Sequence, residues 1–251
     1  MRYIFSGRCR TESFVKFDVK NPPLRLTVRG GEGGDWELAL LLSGGFSMAL
    51  VVTTNSAIND IATFRNQIAT IWKSIYDAAT FLSGQAVTIE VLSLTEVETN
   101  RFWTFRDFVP ELAESAHERP LPTEGFINLA IRNECVRSAL ADLNEAITSP
   151  NDTGFYCYRA IETLMQGCKQ PGETDNKKAW PRFREAVQVT QEWIKPLTDS
   201  SISNRHGEFK GLSGKDRVLL MKRSWTLLYR FACLKLRDVR ALPVTEFPLL
   251  Q

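Results

Sequence analysis

The spacing of apolar residues changes once along this chain, and the change divides it into two kinds of structure. Before about residue 115, short segments alternate apolar and polar side chains, which is the period-2 pattern of half-buried β-strands. From Thr123 onward, apolar residues recur at steps of three and four, as in amphipathic helices. The sequence therefore predicts an α+β domain over residues 1–115, a linker over 116–122 and a helical domain over 123–251.

The first domain is predicted to be an antiparallel sheet with one long helix, and we expect it to sense or dock a ligand or partner. A helical stripe runs from Ala57 to Leu82, capped by Asn55 or Ser56 and ended by Gly84. The structure of Arg101–Glu114 is left open. Strands are predicted over Phe14–Val19, Leu24–Val28, Trp36–Leu42, Phe46–Thr53 and Val87–Leu94.

The second domain is predicted to be a four-helix bundle. Pro196 is expected to end the third helix, and Ser213 to cap the last one together with Asp216. Asn133 falls in the apolar seam of the first helix, where it either fixes helix register or lines a polar pocket. The four helices are predicted over about Glu124–Ile147, Gly154–Cys168, Trp180–Lys195 and from Ser213 onward.

Cysteine and histidine usage argues against a metal site. The five cysteines share no metal-ligand spacing, and the chain has two histidines, so no zinc site and no cofactor are predicted. The cysteines are interpreted as reduced core residues. Met1–Arg10 contains only a three-residue apolar run, too short for the central segment of a signal peptide, so we expect a cytoplasmic protein.

Charge is segregated along the chain. The formal net charge is +2, yet Arg205–Arg240 contains ten basic residues and three acidic ones. Such a bias arises either from a solvated helix face or from a surface that binds a polyanion such as RNA. On the last predicted helix, the candidate RNA-binding residues are Arg217, Lys222, Arg223 and Arg230.

The stretch Ser200–Gly207 is predicted to be a polar gap between the last two helices, and it holds His206. A neutral imidazole can accept or donate a proton near neutral pH, and the guanidinium of Arg205 suits a phosphate. Gly207 lets the backbone adopt positive φ just after this pair. The alternative is a structural loop in which His206 caps a helix end or binds a carbonyl.

Residues Thr123–Arg240 resemble the HEPN superfamily, whose members are helical bundles and often metal-independent ribonucleases of bacterial defence and toxin systems. The resemblance rests on the four predicted helices, on residues 155–162 (FYCYRAIE) and on residues 204–207 (NRHG). In the family, an arginine stands a few positions before the histidine. Asp199, Ser200 and Ser201 occupy those positions here.

The resemblance implies a homodimer that acts on or binds RNA. His206 would transfer a proton during attack by the ribose 2′-hydroxyl, Arg205 would stabilise phosphate charge, and Asn204 would orient the reacting groups. The polar residues that would support this site are Arg159, Glu162 and Asn133, of which the first two could pair with each other.

Two other classes of function stay open. The helical domain could be a non-catalytic interaction module in which Arg205 and His206 form a structural joint. A small-molecule enzyme built on the first domain lacks a motif, because the glycines of residues 30–34 come without the lysine and hydroxyl of a P-loop.

Overall fold

A computed structural model of the chain describes residues 1–10, 24–30, 34–42, 47–81, 84, 87–105, 109–118, 121–205 and 212–251. The chain divides into two compact units, Met1–Arg106 and Asp107–Gln251. The first is an antiparallel sheet with one long helix, and the second is helical. The predicted succession of a sheet-containing part and a helical part is therefore confirmed.

The first unit is built on a six-stranded antiparallel sheet with the strand order β2–β3–β4–β1–β5–β6. The strands predicted near residues 24–28, 36–42, 46–53 and 87–94 are confirmed as β2 to β5. The strands are β1 (Arg2–Arg10), β2 (Leu24–Gly30), β3 (Gly34–Leu42), β4 (Ser47–Thr53), β5 (Thr88–Glu96) and β6 (Arg101–Thr104).

Strand β1 was not predicted, although it pairs with both β4 and β5 in the middle of the sheet. Its sequence alternates as a strand should, with Tyr3 and Phe5 buried and Arg8 exposed. The pairing with β5 shifts at a bulge between Ser6 and Gly7. A Cβ atom at Gly7 would lie 2.6 Å from the carbonyl oxygen of Glu90, so glycine is required for this close approach.

The single helix of the first unit, α1 (Ile61–Phe81), packs on one face of the sheet. Its cap is Asp60, whose carboxylate accepts hydrogen bonds from the amide (2.9 Å) and hydroxyl (2.7 Å) of Thr63, so the predicted cap at Asn55 or Ser56 is wrong. The ring of Phe64 contacts three aromatic rings of the sheet edge-on, with centroids 5.0–5.1 Å away. Gly84 follows the helix at φ 64°, as predicted.

The second unit contains more helices than the four predicted. Helix α5 packs on α4, α6, α7 and α8, and α8 also packs on α2, α3, α4 and α7. A 3-10 turn (Pro150–Asp152) precedes α5. The helices are α2 (Pro110–Glu118), α3 (Thr123–Arg132), α4 (Glu134–Thr148), α5 (Thr153–Gln166), α6 (Asn176–Ala186), α7 (Gln191–Arg205) and α8 (Gly214–Leu236).

Asn133 separates α3 from α4 and does not lie inside one helix. Its backbone is extended at φ −110° and ψ 108°, and its side-chain oxygen accepts a hydrogen bond from the amide of Val136 at 3.1 Å. Asn133 is therefore the N-cap of α4. The predicted role as a register residue inside one helix is wrong, because the residue lies between two helices and its short amide bonds to the local backbone. The predicted role as a pocket residue stays a prediction.

The third predicted helix is two helices. Helix α6 begins after Asp175, whose carboxylate accepts from the amide of Lys177 at 2.8 Å, and α7 begins at Gln191. Pro196 lies inside α7, so the predicted end at Lys195 is wrong. Helix α7 continues to Arg205, and Ser200–Arg205 is consequently helical where a loop was predicted.

Of two further predictions for the helical unit, the linker at residues 116–122 and the cap at Ser213, only the cap is confirmed. Helix α2 extends into the segment 116–122 that was predicted to be a linker. The cap at Ser213 is confirmed, because its hydroxyl oxygen accepts from the amide of Asp216 at 3.1 Å. The C-terminal tail packs on its own unit, with Leu242 and Phe247 buried.

Some predicted features lie outside the described residues. They are the strand Phe14–Val19, the middle of the glycine-rich stretch at residues 31–33, the first residue of the predicted strand Phe46–Thr53, and His206 with Gly207. No helix in the described part of the chain has the length and apolar character that a membrane span requires.

Candidate nucleic-acid site of the helical unit

The predicted catalytic residues lie at and just beyond the C-terminal end of α7. The helical backbone of α7 includes Asn204 and Arg205, whose side chains are not described, and His206 lies outside the described residues. Helix α5 packs closely against α7 near this end. A Cβ atom on Gly154 of α5 would lie 2.8 Å from the Cβ of Ser200 of α7. The two helix backbones therefore meet closely between one and two turns before Arg205.

Arg159 binds helix α4 rather than its predicted partner. Its guanidinium donates to the largely buried carboxylate of Asp142, with 2.8 Å between Nε and Oδ1, and this bond raises the pKa of Arg159. The rings of Phe155 and Tyr156 lie 5.2 and 4.9 Å from the guanidinium carbon. Arg159 thus joins α5 to α4. Its predicted partner, Glu162, lies nearly one turn further along α5 and is half-buried.

Arg217, a predicted RNA-binding residue, is instead directed into the fold. Its guanidinium donates to the hydroxyl of Thr153 at 2.8 Å and to the carbonyls of Ala146 at 3.1 Å and Ile147 at 2.9 Å. These carbonyls belong to the last turn of α4, where they lack helical partners. Arg217 therefore ties the start of α8 to the end of α4.

Arg223 and Arg230 are also engaged within the unit. Arg223 donates to the carbonyl of Trp193 and lies over its ring at 5.0 Å, and burial lowers the pKa of Arg223. Arg230 is 5% exposed and donates to three backbone carbonyls. Of the four predicted RNA-binding residues, only Lys222 is exposed. The guanidinium groups of the three arginines therefore bind backbone groups of the unit itself, while RNA binding by the four residues stays a prediction.

A cleft of about 530 Å³ opens between α5, α6 and α7. This volume lies within the range of small-molecule and cofactor sites. The cleft joins aromatic and charged side chains from all three helices. The ones used below are Tyr158, Lys177, Trp180, Arg184, Lys195 and Asp199.

The charged side chains of this cleft are not neutralised by the protein. Within the part of the chain that the structure describes, the side chains of Lys177, Arg184, Lys195 and Asp199 make no hydrogen bond or ion pair. Arg182, on the same helix α6, instead binds Glu173 and the carbonyl of Cys168. Three cations and one carboxylate consequently give the cleft an excess of positive charge that is available to a ligand.

An aromatic pair forms one wall of the cleft. The ring of Trp180 stacks on Tyr158, with centroids 6.2 Å apart and planes 21° from parallel. The ring of Phe183 meets Trp180 nearly edge-on at 5.9 Å, and Phe183 is fully buried. Trp180 is therefore fixed on two sides while it remains half-buried beside the cleft, which is a suitable arrangement for stacking a planar ring.

Helix α7 links this cleft to the predicted catalytic stretch. Position 205 follows Thr198, a cleft residue, by seven positions and so falls on the same face of α7. Seven residues span about 10 Å along a helix. A ligand longer than one nucleotide could thus contact the cleft and extend toward Arg205.

This cleft was not predicted from the sequence, although the sequence of α6 contains part of its signal. Lys177, Trp180 and Arg184 follow one another at steps of three and four, which places a cation, an aromatic ring and a second cation on one helix face. In the sequence-based prediction, Trp180 is only the first residue of the third helix. The contribution of Lys195 and Asp199 depends on the packing of α7 against α6.

Two other cavities lack this combination. An apolar groove of about 250 Å³ in the helical unit is lined by Phe126, Leu140 and Trp225, among others. A cavity of about 460 Å³ on the sheet of the first unit is lined by Arg2, Arg25, Glu37 and their neighbours. Neither cavity places an aromatic stack beside several unpaired cations.

The thiols and carboxylates supply no metal site in the described residues. There, no group of three or more His, Cys, Asp or Glu side chains could hold a metal ion. All five cysteines are free thiols, and burial raises the pKa of Cys157 to about 12. Cys157 is therefore a protonated core residue at neutral pH.

Comparisons with known proteins reach only the helical unit. A family model described as the C-terminal domain of a domain of unknown function (DUF8168) matches residues 124–235. The matched segment runs from α3 to the end of α8 and includes every cleft residue named above. No curated protein and no solved structure matches the chain.

Proposed function

We propose that the helical unit binds single-stranded RNA in the cleft between α5, α6 and α7, and cleaves it at the end of α7. The observation that carries this proposal is the set of three cations, Lys177, Arg184 and Lys195, that lack a partner in the described structure beside the stacked Trp180. Phosphates provide the charge that these cations lack, and a base provides a ring to stack on Trp180.

The aromatic wall favours a single strand over a duplex. The bases of a duplex are stacked on one another, so their faces are not accessible to a side chain. An unpaired base can leave its neighbours and stack on an aromatic ring, which contributes about 1–3 kcal/mol per base. The cleft therefore fits one unpaired nucleotide with its flanking phosphates.

The chemical step of the proposal comes from the resemblance to the HEPN superfamily. His206 would take the proton of the ribose 2′-hydroxyl, Arg205 would stabilise the charge on the phosphate, and Asn204 would orient them. The P–O5′ bond breaks as the 2′-oxygen attacks, and the leaving 5′-oxygen takes up a proton from water. The products are a 2′,3′-cyclic phosphate and a 5′-hydroxyl, and no metal is needed. A HEPN-like homodimer of a bacterial defence system is part of the same proposal.

RNA binding is tested by charge reversal at two exposed lysines. Lys177 lines the cleft, and Lys215 on α8 does not, so Lys177→Glu and Lys215→Glu change charge equally at different places. Fluorescence anisotropy with a labelled decamer of RNA should show weaker binding for Lys177→Glu and nearly unchanged binding for Lys215→Glu. Loss of one phosphate contact should also reduce the slope of log K against log salt by about 0.7.

Cleavage is tested separately from binding. His206→Ala should reduce cleavage of the decamer by about 10²- to 10⁴-fold without a change in melting temperature, and cleavage should persist in EDTA. Suppose instead that the wild-type protein never cleaves RNA above background, and that His206→Ala and Arg205→Ala both lower the melting temperature. The two residues are then a structural joint, and an interaction module replaces the nuclease.

A further inference from the structure

Asp199 is the acidic residue among the side chains that the structure describes around the cleft. It lies on α7 one turn after Lys195, at the spacing that favours an ion pair on a helix surface. The two side chains nevertheless form no ion pair with each other, and Asp199 binds no other group in the described residues. Its carboxylate is therefore open to the cleft.

A carboxylate weakens phosphate binding, so its presence in this cleft needs a donor on the ligand. Phosphates only accept hydrogen bonds and a ribose 2′-hydroxyl donates a single one, whereas the edges of bases carry N–H groups. Guanine presents two neighbouring donors, N1–H and N2–H, beside the acceptor O6. A carboxylate can accept from both donors, and an ammonium or guanidinium group can donate to O6.

We propose that Asp199 and Lys195 select a guanine that stacks on Trp180. The carboxylate of Asp199 accepts from N1–H and N2–H, and the ammonium of Lys195 donates to O6. Lys177 and Arg184 are then left for the flanking phosphates. This inference rests on the proposed binding of RNA in the same cleft.

The other bases fit this pair of groups less well. Adenine and cytosine each present one amino donor beside an unprotonated ring nitrogen, which a carboxylate repels. Uracil presents one N–H between two carbonyl oxygens, so the second carboxylate oxygen has no donor. A bidentate contact of this kind commonly discriminates between bases by roughly tenfold or more.

The test uses four fluorescein-labelled decamers of uridine in which the fifth base is G, A, C or U. All carry 2′-fluoro riboses, so attack by a 2′-hydroxyl is blocked and binding is measured alone. The wild-type protein should bind the G decamer about tenfold more tightly than the U decamer. Asp199→Asn and Asp199→Ala should bring the two affinities within about twofold, with U-decamer binding unchanged or tighter.

Glu192→Gln is the matched control. Glu192 is an exposed carboxylate on the same helix and does not line the cleft, so its removal changes charge equally and should leave the G preference intact. Unlabelled 5′-GMP should compete far more weakly than the unlabelled G decamer. Equal competition would overturn the assignment to an RNA strand, because the ligand would then be a free nucleotide.

The failure of this inference differs from the failure of the proposed function. If the wild-type protein binds all four decamers equally and Lys177→Glu weakens each of them, the cleft binds RNA and the guanine selection is overturned. If none of the four decamers binds, both are overturned. A G preference that survives Asp199→Asn and Asp199→Ala would also overturn the role of Asp199.

Discussion

Replacing Arg230 by methionine should strongly destabilise the helical unit. Arg230 lies on α8 and is 5% exposed, and its guanidinium donates to the carbonyls of Val187 at 2.9 Å, Gln188 at 2.7 Å and Pro248 at 2.8 Å. The guanidinium carbon also lies 5.8 Å from the ring centre of Phe247. One side chain thus holds both the connection between α6 and α7 and the C-terminal tail.

The expected magnitude follows from those three bonds. A hydrogen bond to a charged group contributes about 1.5–3 kcal/mol, and the three contributions overlap because they share one side chain. Methionine preserves most of the apolar volume and needs no burial of charge, which offsets part of the loss. The three carbonyls remain without this donor, so we expect Arg230→Met to lower the free energy of unfolding by about 3–5 kcal/mol.

The assay pairs this variant with Lys222→Met on the same helix. Urea unfolding followed by circular dichroism should show the large loss for Arg230→Met, and a change within about 0.5 kcal/mol for exposed Lys222. Carboxypeptidase should also remove the tail of Arg230→Met faster. Equal stability of the two variants, with RNA binding lost only in Arg230→Met, would refute the internal role and restore Arg230 as an RNA contact.

Three further variants test other parts of the fold. Asn133→Ala removes the cap of α4 and should cost about 1 kcal/mol of unfolding free energy, whereas Asn133→Asp, which keeps an acceptor oxygen, should cost much less. Gly154→Ala forces a methyl group against Ser200 and should cost about 1–3 kcal/mol and slow RNA cleavage by displacing α7. Gly125→Ala in α3, where the nearest atom to a new Cβ would lie 3.6 Å away, should leave cleavage unchanged. Burial, with a smaller effect of nearby Cys9, raises the pKa of Tyr76 from 10.0 to about 12. The folded state therefore keeps this proton longer than the unfolded chain, and the first unit should lose stability as pH rises from 10 toward 12, with a smaller loss in Tyr76→Phe.

The sequence predicted the fold where side-chain periodicity decides it. Strand β2 and helix α1 were found because one face of each is apolar and the other is polar, whereas β3 and β4 were found as short apolar runs. Strand β1 carries the same alternation and was missed, because the segment was considered only as a signal peptide. Arg2, Arg8 and Arg10 made it resemble a charged terminus.

The helix boundaries of the second unit were harder, because apolar periodicity continues across them. Apolar residues before and after Asn133 pack in the same core, so the apolar periodicity continues from α3 into α4. The helix is nevertheless interrupted at Asn133, whose backbone is extended. At Pro196 the error was the opposite one, because a helix end was predicted where the helix continues. Proline disfavours a helix interior by about 3 kcal/mol, and the packing of α7 on α5 and α8 outweighs that preference.

The candidate site could be predicted only in part. The sequence contains the NRHG stretch at residues 204–207, but it does not say that α7 continues to Arg205. It also does not say that α6 and α7 bring Lys177, Arg184 and Lys195 around one cleft. Residues far apart in sequence meet there through tertiary packing, which local patterns do not encode.

The charge bias of residues 205–240 shows why a count of basic residues is a poor guide to RNA binding. Arginine has a planar group with five donors and an apolar stem, so it can bind several carbonyls at once where helices end. Arg217, Arg223 and Arg230 are used in this way, at the ends of α4, near the start of α7 and at the tail. Their charges are therefore directed at carbonyl dipoles inside the unit. The cations that remain available around the cleft, Lys177 and Lys195 with Arg184, lie on α6 and α7 instead, and mutagenesis of RNA binding should begin on those two helices.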